Sequence, residues 1–300
     1  MIYTVTLNPA IDYIMHTDKI NIGETNRSTG EEIYIGGKGI NVSLILRELG
    51  TESTALGFVA GFTGEEFEKQ LEKRGVKSDF VKLSKGNTRI NIKIKGDAET
   101  EINGKGPDIS ENDLEKFFAK INNIKDGDTV VLAGSIPGSL PDTTYSRILE
   151  ILKDKKINCI VDASGKLLIN ALKYKPFLIK PNKAELFEIF GLEKGNEKDI
   201  SECAARLREM GARNVIVSMA REGALLLTEK GDTIKICAAE GKTVNSVDAG
   251  DSMVAGFIQG FIEKSDYAYA LKLGGACGAA TAFSKDLATR EEILRVFDTL

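Results

Sequence analysis

Thr243-Val-Asn-Ser-Val-Asp-Ala-Gly-Asp-Ser-Met-Val-Ala-Gly-Phe257 starts as a loop, runs into an apolar helix, and organises the rest of the chain. A helix start leaves backbone N–H groups unpaired and carries partial positive charge, so small residues there can hold an anion. Gly250 permits close approach, and Asp251 could accept a proton from a hydroxyl that attacks a bound phosphate. The stretch therefore indicates phosphoryl transfer, although an Asp that merely caps a buried helix fits it equally well.

The composition is that of an ordinary globular protein. The chain has 300 residues, of which 42% are hydrophobic and 28% charged, and this length is within reach of one α/β enzyme domain. A net charge of −4 gives no electrostatic reason to expect nucleic acid or a membrane as partner. The only histidine is His16, which argues against Ser-His-Asp hydrolysis and two-histidine metal sites. Zinc and dithiol sites are disfavoured because the four cysteines are widely spaced, at Cys159, Cys203, Cys237 and Cys277.

The N-terminus indicates a cytoplasmic protein. Met1 to Asn8 lacks a basic region and a cleavage site and has the alternation of a strand. No apolar run approaches the roughly 20 residues that span a bilayer. We therefore expect a cytoplasmic location with reduced thiols.

The order of helical and extended segments predicts an α/β fold. From residue 110 onward, helices alternate with continuous apolar strands, which predicts a mainly parallel sheet covered on both faces. Arg89-Ile-Asn-Ile-Lys-Ile-Lys95 instead alternates with period two, as in a sheet with one polar face. We predict a single domain over residues 1–300, with a lid built from about 11–35 and 86–104. Ligands of such sheets bind beyond the strand ends, so the informative loops follow residues 8, 35, 133, 161, 180 and 218.

A second anion or sugar loop is predicted at Gly36-Gly-Lys38-Gly39, which leads into a helix. It is not a P-loop, and it misses the dinucleotide fingerprint because Val42 stands where the third Gly belongs. Asp12 and Asn41 suit sugar hydroxyls. The alternative interpretation of the glycine loop is an ordinary tight turn. The alternative for Asp12 and Asn41 is that each is only a turn or cap residue.

Basic residues near the predicted lid are candidates for binding a substrate phosphate. Lys38 and Arg89 are the main candidates, with Arg27 and Lys105 as weaker ones. For Lys93 and Lys95 we favour a solvated strand face.

Two further loops are candidates for nucleotide and metal binding. Lys180-Pro-Asn182-x-x-Glu185 places Asn182 and Glu185 on one helix face, where their oxygens could bind Mg²⁺ through water. A capping box fits the same spacing. Ser218 to Gly223 joins a strand to a hairpin, with a glycine that could approach a nucleotide closely, although in isolation it is a turn.

Taken in order, these motifs resemble the ribokinase-like, phosphofructokinase-B (pfkB) sugar kinases over essentially the whole chain. The resemblance implies a ribokinase-like three-layer sandwich with a mainly parallel central sheet and a small β-sheet lid. It is strongest toward the branch that uses ATP to convert fructose 1-phosphate to fructose 1,6-bisphosphate. The branch that acts on tagatose 6-phosphate is the nearest relative.

The resemblance also implies roles for particular residues. Asp251 would be the general base, the amides of Ala249, Gly250 and Asp251 the anion hole, and Asp248 part of the same catalytic turn. Sugar hydroxyls would be bound by Asp12, Gly37 and Asn41, and the sugar's phosphate by Lys38 and Arg89, with Ser135 lining the pocket. ATP would lie over Lys180, Asn182, Ser218, Gly223 and Gly250, with Mg²⁺ held through water by Asn182 and Glu185. The turn Met219-Ala-Arg-Glu222 departs from the Gly-rich turn of the family, which puts its side-chain contacts in doubt.

Three other functions stay open at this level. A tagatose-6-phosphate kinase is the closest, and a kinase of nucleosides or unphosphorylated sugars would leave Lys38 and Arg89 without an anion. A non-catalytic sugar or nucleotide sensor on the same scaffold would not need Asp251. The apolar side of the lid, with Ile90, Ile92 and Ile94, predicts a homodimer formed through the lid.

Overall fold

The computed structural model describes residues 1–244 and 246–300. Its strands are β1 (Ile2–Thr6), β2 (Ala10–His16), β3 (Gly30–Gly36), β4 (Ser53–Ala60), β5 (Lys77–Ser78), β6 (Val81–Leu83), β7 (Arg89–Lys95), β8 (Glu99–Asn103), β9 (Thr129–Ala133), β10 (Asn158–Asp162), β11 (Leu178–Ile179), β12 (Asn214–Ser218), β13 (Ala224–Leu227) and β14 (Thr233–Ile236). Its α-helices are α1 (Lys38–Glu48), α2 (Gly61–Lys73), α3 (Glu111–Asn122), α4 (Thr144–Leu152), α5 (Gly165–Leu172), α6 (Lys183–Phe190), α7 (Glu197–Glu209), α8 (Ala249–Lys264), α9 (Tyr267–Phe283) and α10 (Arg290–Phe297).

The central sheet has ten strands, with β6 beside β4 and the others in the order β14-β13-β12-β11-β10-β9-β1-β4-β5. Strands from β12 to β5 pair in parallel, and only β13 and β14 join in antiparallel fashion. Strand β9 shows why this sheet is covered on both sides. Val130 and Leu132 belong to the core cluster that includes residues of α3 to α7, whereas Val131 belongs to the cluster that includes residues of α1, α8, α9 and α10. A continuous apolar strand of this kind requires helices on both faces, and the predicted three-layer fold class is confirmed.

A separate four-stranded sheet has the order β3-β2-β7-β8. Strand β2 pairs antiparallel with β3 and parallel with β7, in a register that sets Asp12 opposite Asn91. Asp12, Asn91 and Lys93 therefore share one face, which we call the inner face. The outer face carries isoleucines that are exposed in the single chain: Ile33 at 51%, Ile90 at 39% and Ile102 at 58%.

One group of side chains connects the small sheet to the rest of the chain. Glu32 on β3 accepts hydrogen bonds from Tyr34 Oη at 2.6 Å and from Lys285 Nζ at 2.7 Å, and Lys285 follows α9. His16 Nε2 lies 2.9 Å from the same carboxylate. The bonds from Lys285 and Tyr34 hold the pKa of Glu32 at about 2, so this contact stays charged at neutral pH.

All four cysteine thiols are free. No helix of the described chain is long and apolar enough to cross a membrane.

Candidate active site

The start of helix α8 has the geometry of an anion-binding loop. Asp248 precedes the helix in a left-handed conformation with φ 67°, and its side chain makes no cap hydrogen bond. The amide of Ser252 donates to the Asp248 carbonyl at 3.0 Å, which is the first bond of the helix. The amides of Ala249, Gly250 and Asp251 precede that bond, so they are available to a ligand at the positive end of the helix.

A single amide holds the two carboxylates of this turn. Asn41, in the first turn of α1, donates from Nδ2 to Asp251 Oδ2 at 3.0 Å and to Asp248 Oδ1 at 2.9 Å. Asp251 is 3% exposed. Burial first, then the charges of Asp162 and Asp248, raise its pKa well above the ordinary value, while Lys38 and Asn41 act in the opposite direction. A carboxylate that holds a proton this tightly is a stronger base than a free aspartate.

The pKa of Asp248 is also raised, to about 6. Burial is the main cause, and Asp12 and Asp286 add to it, whereas the positive charges of Lys93 and Lys38 oppose it. The charged groups around Asp248 thus come from the small sheet, from α1 and from the segment after α9. The start of α8 lies where the central sheet meets the inner face of the small sheet.

A buried carboxylate at the end of β10 gathers two lysines. Asp162 Oδ1 lies 3.3 Å from Lys180 Nζ, and Asp162 Oδ2 lies 3.5 Å from Lys38 Nζ. Burial opposes the ionisation of Asp162, but Lys180 and Lys38 outweigh it and hold its pKa below the ordinary value. Lys180 also reaches the start of α8, because a Cβ on Gly250 would lie only 2.9 Å from Lys180 Nζ. Burial lowers the pKa of Lys38, but the charges of Asp162, Asp251 and Glu185 outweigh burial and raise it. Two cations therefore lie beside the predicted base.

The glycines before α1 are required by close packing. Gly37 is the N-cap with φ 131°, and a Cβ there would lie 2.7 Å from Thr6 Cγ2 at the end of β1. A Cβ on Gly36 would lie 2.7 Å from Asp12 Oδ2. The loop can therefore lie flat on the strand ends, which places Lys38 and Asn41 beside α8.

On the inner face, Asp12 is surrounded by groups that suit a polyhydroxy ligand. Asn91 Nδ2 donates to Asp12 Oδ1 at 2.8 Å, and Lys93 Nζ lies 3.6 Å from Asp12 Oδ2. The prediction of a solvated face for Lys93 is wrong, because its side chain is only 17% exposed and faces Asp12. Lys95, two residues further on, is exposed as predicted.

The predicted phosphate-binding cations fall into two groups. Arg89 is half-buried beside the inner face, where its Nε donates to the Asn8 carbonyl at 3.1 Å. Lys38 instead pairs with Asp162 and approaches Asp251. Arg27 is exposed in the β2–β3 connection, and Lys105 pairs with Asp108 at 2.7 Å on the surface.

The predicted nucleotide and metal residues have structural roles of their own. Asn182 Oδ1 accepts from the Glu185 amide and Glu185 Oε2 accepts from the Asn182 amide, both at 2.9 Å, so the capping box is present. Asn182 also forms a β-bridge with Ser218. Gly223 has φ 86°, and a Cβ there would lie 2.0 Å from the Ile236 carbonyl oxygen, so chain packing alone explains this glycine. Ser135 is exposed after β9, next to Gly134, whose added Cβ would lie 3.7 Å from Lys38 Cβ. Within the described residues, no group of three or more His, Cys, Asp or Glu side chains forms a ready metal site.

Sequence reasoning missed three residues of this site: Asp162, Asn91 and Lys93. Asp162 ends an apolar strand at one of the strand-end loops, and this position was a usable signal. Asn91 and Lys93 alternate with isoleucines, a pattern that fits a solvated face equally well. Only the pairing of β7 with β2 reveals that these side chains face Asp12.

Comparison with known proteins gives a consistent result. A family model described as pfkB family carbohydrate kinase matches residues 4–293. The 1-phosphofructokinase of Bacillus subtilis is 47% identical over 291 residues, which cover 97% of this chain and 95% of that protein. The D-tagatose-1-phosphate kinase of Bacillus licheniformis is 40% identical over 288 residues, which cover 96% of this chain and 94% of that protein.

Solved structures share the architecture. The structure of a putative phosphofructokinase from Staphylococcus aureus superposes with a TM-score of 0.90 at 40% identity, covering 100% of this chain and 97% of that one. An Arabidopsis thaliana ribokinase complexed with ribose and ATP gives a TM-score of 0.82 at 19% identity, covering 99% of this chain and 98% of that one. The second similarity concerns the fold alone, and it agrees with the predicted ribokinase-like class.

Proposed function

This chain belongs to the pfkB family of carbohydrate kinases, and we propose that it uses ATP to convert fructose 1-phosphate to fructose 1,6-bisphosphate. The observation that carries the proposal is the buried carboxylate of Asp251 at the start of α8, held by Asn41 and approached by Lys38. A base, a set of free amides and nearby cations are what phosphoryl transfer requires. The name of the Bacillus subtilis relative supplies the sugar.

In the proposed reaction, Asp251 accepts the proton of the C6 hydroxyl as its oxygen attacks the γ-phosphorus of ATP. The bond between that phosphorus and the bridging oxygen of ADP breaks, and ADP leaves. The amides of Ala249, Gly250 and Asp251 face the transferring oxygens, and Lys38 and Lys180 offset their charge. Most of the acceleration then comes from positioning and electrostatic stabilisation.

The remaining substrate contacts extend over both sheets. Asp12, Gly37 and Asn41 bind sugar hydroxyls, with Ser135 at the edge of the pocket, and Arg89 binds the phosphate that the sugar already carries. The pairing of Lys38 with Asp162 favours a place for Lys38 at the transferred group rather than beside Arg89. ATP lies over Lys180, Asn182, Ser218, Gly223 and Gly250.

We also propose that Mg²⁺ enters with ATP and is held through water by Asn182 and Glu185. Two observations support this role. The capping box engages Glu185 through Oε2, which leaves Oε1 for a metal-bound water, and the Glu185 charge acts on Lys38, which we propose lies at the transferred phosphoryl group. When bound, the ion neutralises phosphate charge.

The decisive test is a coupled assay for ADP formation with fructose 1-phosphate, fructose 6-phosphate, tagatose 1-phosphate and tagatose 6-phosphate. We expect the highest kcat/KM with fructose 1-phosphate. The second candidate is a tagatose phosphate kinase, which the 40% identity to D-tagatose-1-phosphate kinase favours, and a higher kcat/KM for a tagatose phosphate would select it. Binding of sugar phosphate and ATP without ADP formation would instead indicate a non-catalytic sensor.

We further propose that the chain is one domain whose small sheet acts as a lid and joins two copies into a dimer. Three isoleucines exposed on the outer face of this sheet, Ile33, Ile90 and Ile102, support that face as the dimer interface. Sedimentation at micromolar concentration should give a dimer for the wild type and a monomer for Ile102→Lys, with Ile22→Lys, an exposed residue of the β2–β3 connection, as control. A monomeric wild type would contradict the proposal.

Because the reaction uses ATP, we place the protein in the cytoplasm.

A further inference from the structure

Asn91 and Thr6 differ from the other buried polar residues of the described chain, because each leaves one side-chain atom without a hydrogen-bond partner. Within the described residues, two buried side-chain polar atoms have no hydrogen-bond partner, Thr6 Oγ1 and Asn91 Oδ1. Thr6 Oγ1 lies beneath the first turn of α1, where a Cβ on Gly39 would come within 2.6 Å of it. That atom is covered by backbone, and it has no room for a ligand.

Asn91 lies instead on the inner face of the small sheet, between residues already placed at the sugar. Asn91 as a whole is 92% buried, and its register partner on β2 is Asp12. Lys93, on the same face of β7, lies 3.6 Å from the other oxygen of Asp12. The charges of Asp12 and Lys93 both act on Asp248, so this face is turned toward the start of α8.

The hydrogen bond to Asp12 fixes the orientation of the Asn91 amide. A carboxylate can only accept, so the atom that lies 2.8 Å from Asp12 Oδ1 must be Nδ2. The amide oxygen consequently points away from Asp12. A buried amide oxygen without a partner is destabilising, and this cost is recovered when a ligand donates a hydrogen bond to it.

From these contacts, and resting on the proposed function, we propose that Asn91 is a substrate-binding residue whose Oδ1 accepts a hydrogen bond from a ring hydroxyl of the sugar phosphate. Asp12 accepts from the neighbouring hydroxyl, so the two side chains bind a vicinal diol, at C3 and C4 of the ketose ring. The Nδ2 bond holds the two acceptors at a fixed separation. Asn91 is thereby a specificity-determining residue, because epimers at C4 present that hydroxyl differently.

The test is a cycle of enzyme variants and deoxy substrates. Wild type, Asn91→Ala and Asn91→Val are assayed with fructose 1-phosphate and with its 3-deoxy and 4-deoxy derivatives. Loss of one hydrogen bond to a buried acceptor should lower kcat/KM for fructose 1-phosphate by about 10- to 100-fold. With the derivative that lacks the hydroxyl bound by Asn91, the same substitutions should cost less than about threefold, since the bond is already absent.

Asn122→Ala is the control, because Asn122 is an exposed asparagine at the C-terminal end of α3 and not on the small sheet. We expect its kinetics to equal those of the wild type. Thermal unfolding of each variant shows whether it is folded, and Asn91→Val keeps the β-propensity of the strand if Asn91→Ala does not fold well.

The possible outcomes separate this proposal from the proposed function. An equal loss of kcat/KM with all three substrates would overturn it, because Asn91 would then act only on the structure around Asp12. A loss below twofold with fructose 1-phosphate would also overturn it, while ATP-dependent phosphorylation by the wild type would still support the kinase function. Absence of ADP formation by the wild type with every ketohexose phosphate would overturn both.

Discussion

The central sheet and the small sheet contribute to the candidate active site in different ways. At the ends of the central strands, Asp251, Asp162 and Lys180 are deeply buried, at 3%, 4% and 6% exposure, whereas the side chain of Lys38, which pairs with Asp162, is 45% exposed. On the inner face of the small sheet, the Asp12 and Lys93 side chains retain 20% and 17% exposure. Charges in the first group consequently act on one another strongly, whereas those in the second are partly screened by solvent.

This difference suggests a division of labour. Buried charges fixed by a rigid parallel sheet suit the chemical step, where charge has to be stabilised without rearrangement. Partly exposed groups on a separate sheet suit recognition of a ligand that enters and leaves. Substitutions in the first region should therefore change kcat, and those in the second should change KM.

The largest effect is expected for Asp251→Asn. Without the proposed base, turnover should fall at least about a hundredfold, with little change in the binding of either substrate. Steady-state assays of ADP formation measure the turnover, and titration of each substrate measures its binding. Asp154→Asn, an exposed aspartate at the other end of the central sheet, is the control. Near-wild-type turnover of Asp251→Asn would contradict the assignment of the base.

A second prediction separates the two predicted phosphate-binding cations. Arg89→Ala should raise the KM for the sugar phosphate by about 10- to 100-fold with little change in kcat, since it removes the charge-assisted contact that we propose Arg89 makes with the sugar's phosphate. Lys38→Ala should mainly lower kcat, because Lys38 pairs with Asp162 near Asp251. Lys95→Ala, on the exposed end of β7, should leave both parameters unchanged. If Lys38→Ala and Arg89→Ala gave the same kinetic pattern, the division between the two regions would be wrong.

The smallest effect concerns Asp248, which lies where the two regions meet. Its folded-state pKa of about 6 is above the ordinary value of 3.8, so the folded protein binds this proton more tightly than the unfolded chain. The destabilisation is absent below pH 4, develops between pH 4 and pH 6, and is fully present above pH 6. Asp248→Asn should thus raise the free energy of unfolding by about 1–3 kcal/mol at pH 8 and by little at pH 4.

Denaturant unfolding of the wild type and the variant at both pH values measures this difference. Asp248→Gly separates charge from backbone, because glycine removes the same carboxylate and also adopts the left-handed conformation without strain. Both variants should show the same pH dependence. If the free energy of unfolding differed between variant and wild type by the same amount at pH 4 and at pH 8, the result would contradict a buried, charged Asp248.

The central sheet could be predicted from the sequence, because its strands are buried on both faces and carry continuous apolar residues. Thr129–Ala133 and Asn214–Ser218 are examples, and both lie in the region after residue 110 where the sequence predicts helices alternating with apolar strands. The period-two stretch from Arg89 to Lys95 likewise forms a strand with an apolar face. The contacts of Lys93 and Asn91 with Asp12 could not be predicted, since alternation reveals which residues share a face but not what that face meets.

The sequence by itself determined the two loops that begin helices, at Gly36 to Gly39 and at Asp248 to Asp251, because small residues at a helix start have local causes. It also determined the family, through the order of these loops along the chain. Only the tertiary structure decided which charges meet: Asp162 with Lys38 and Lys180, Asn41 with two carboxylates, and Asp12 with Asn91 and Lys93. These contacts join residues far apart in the chain, and their positions depend on strand order and register, which no local pattern specifies.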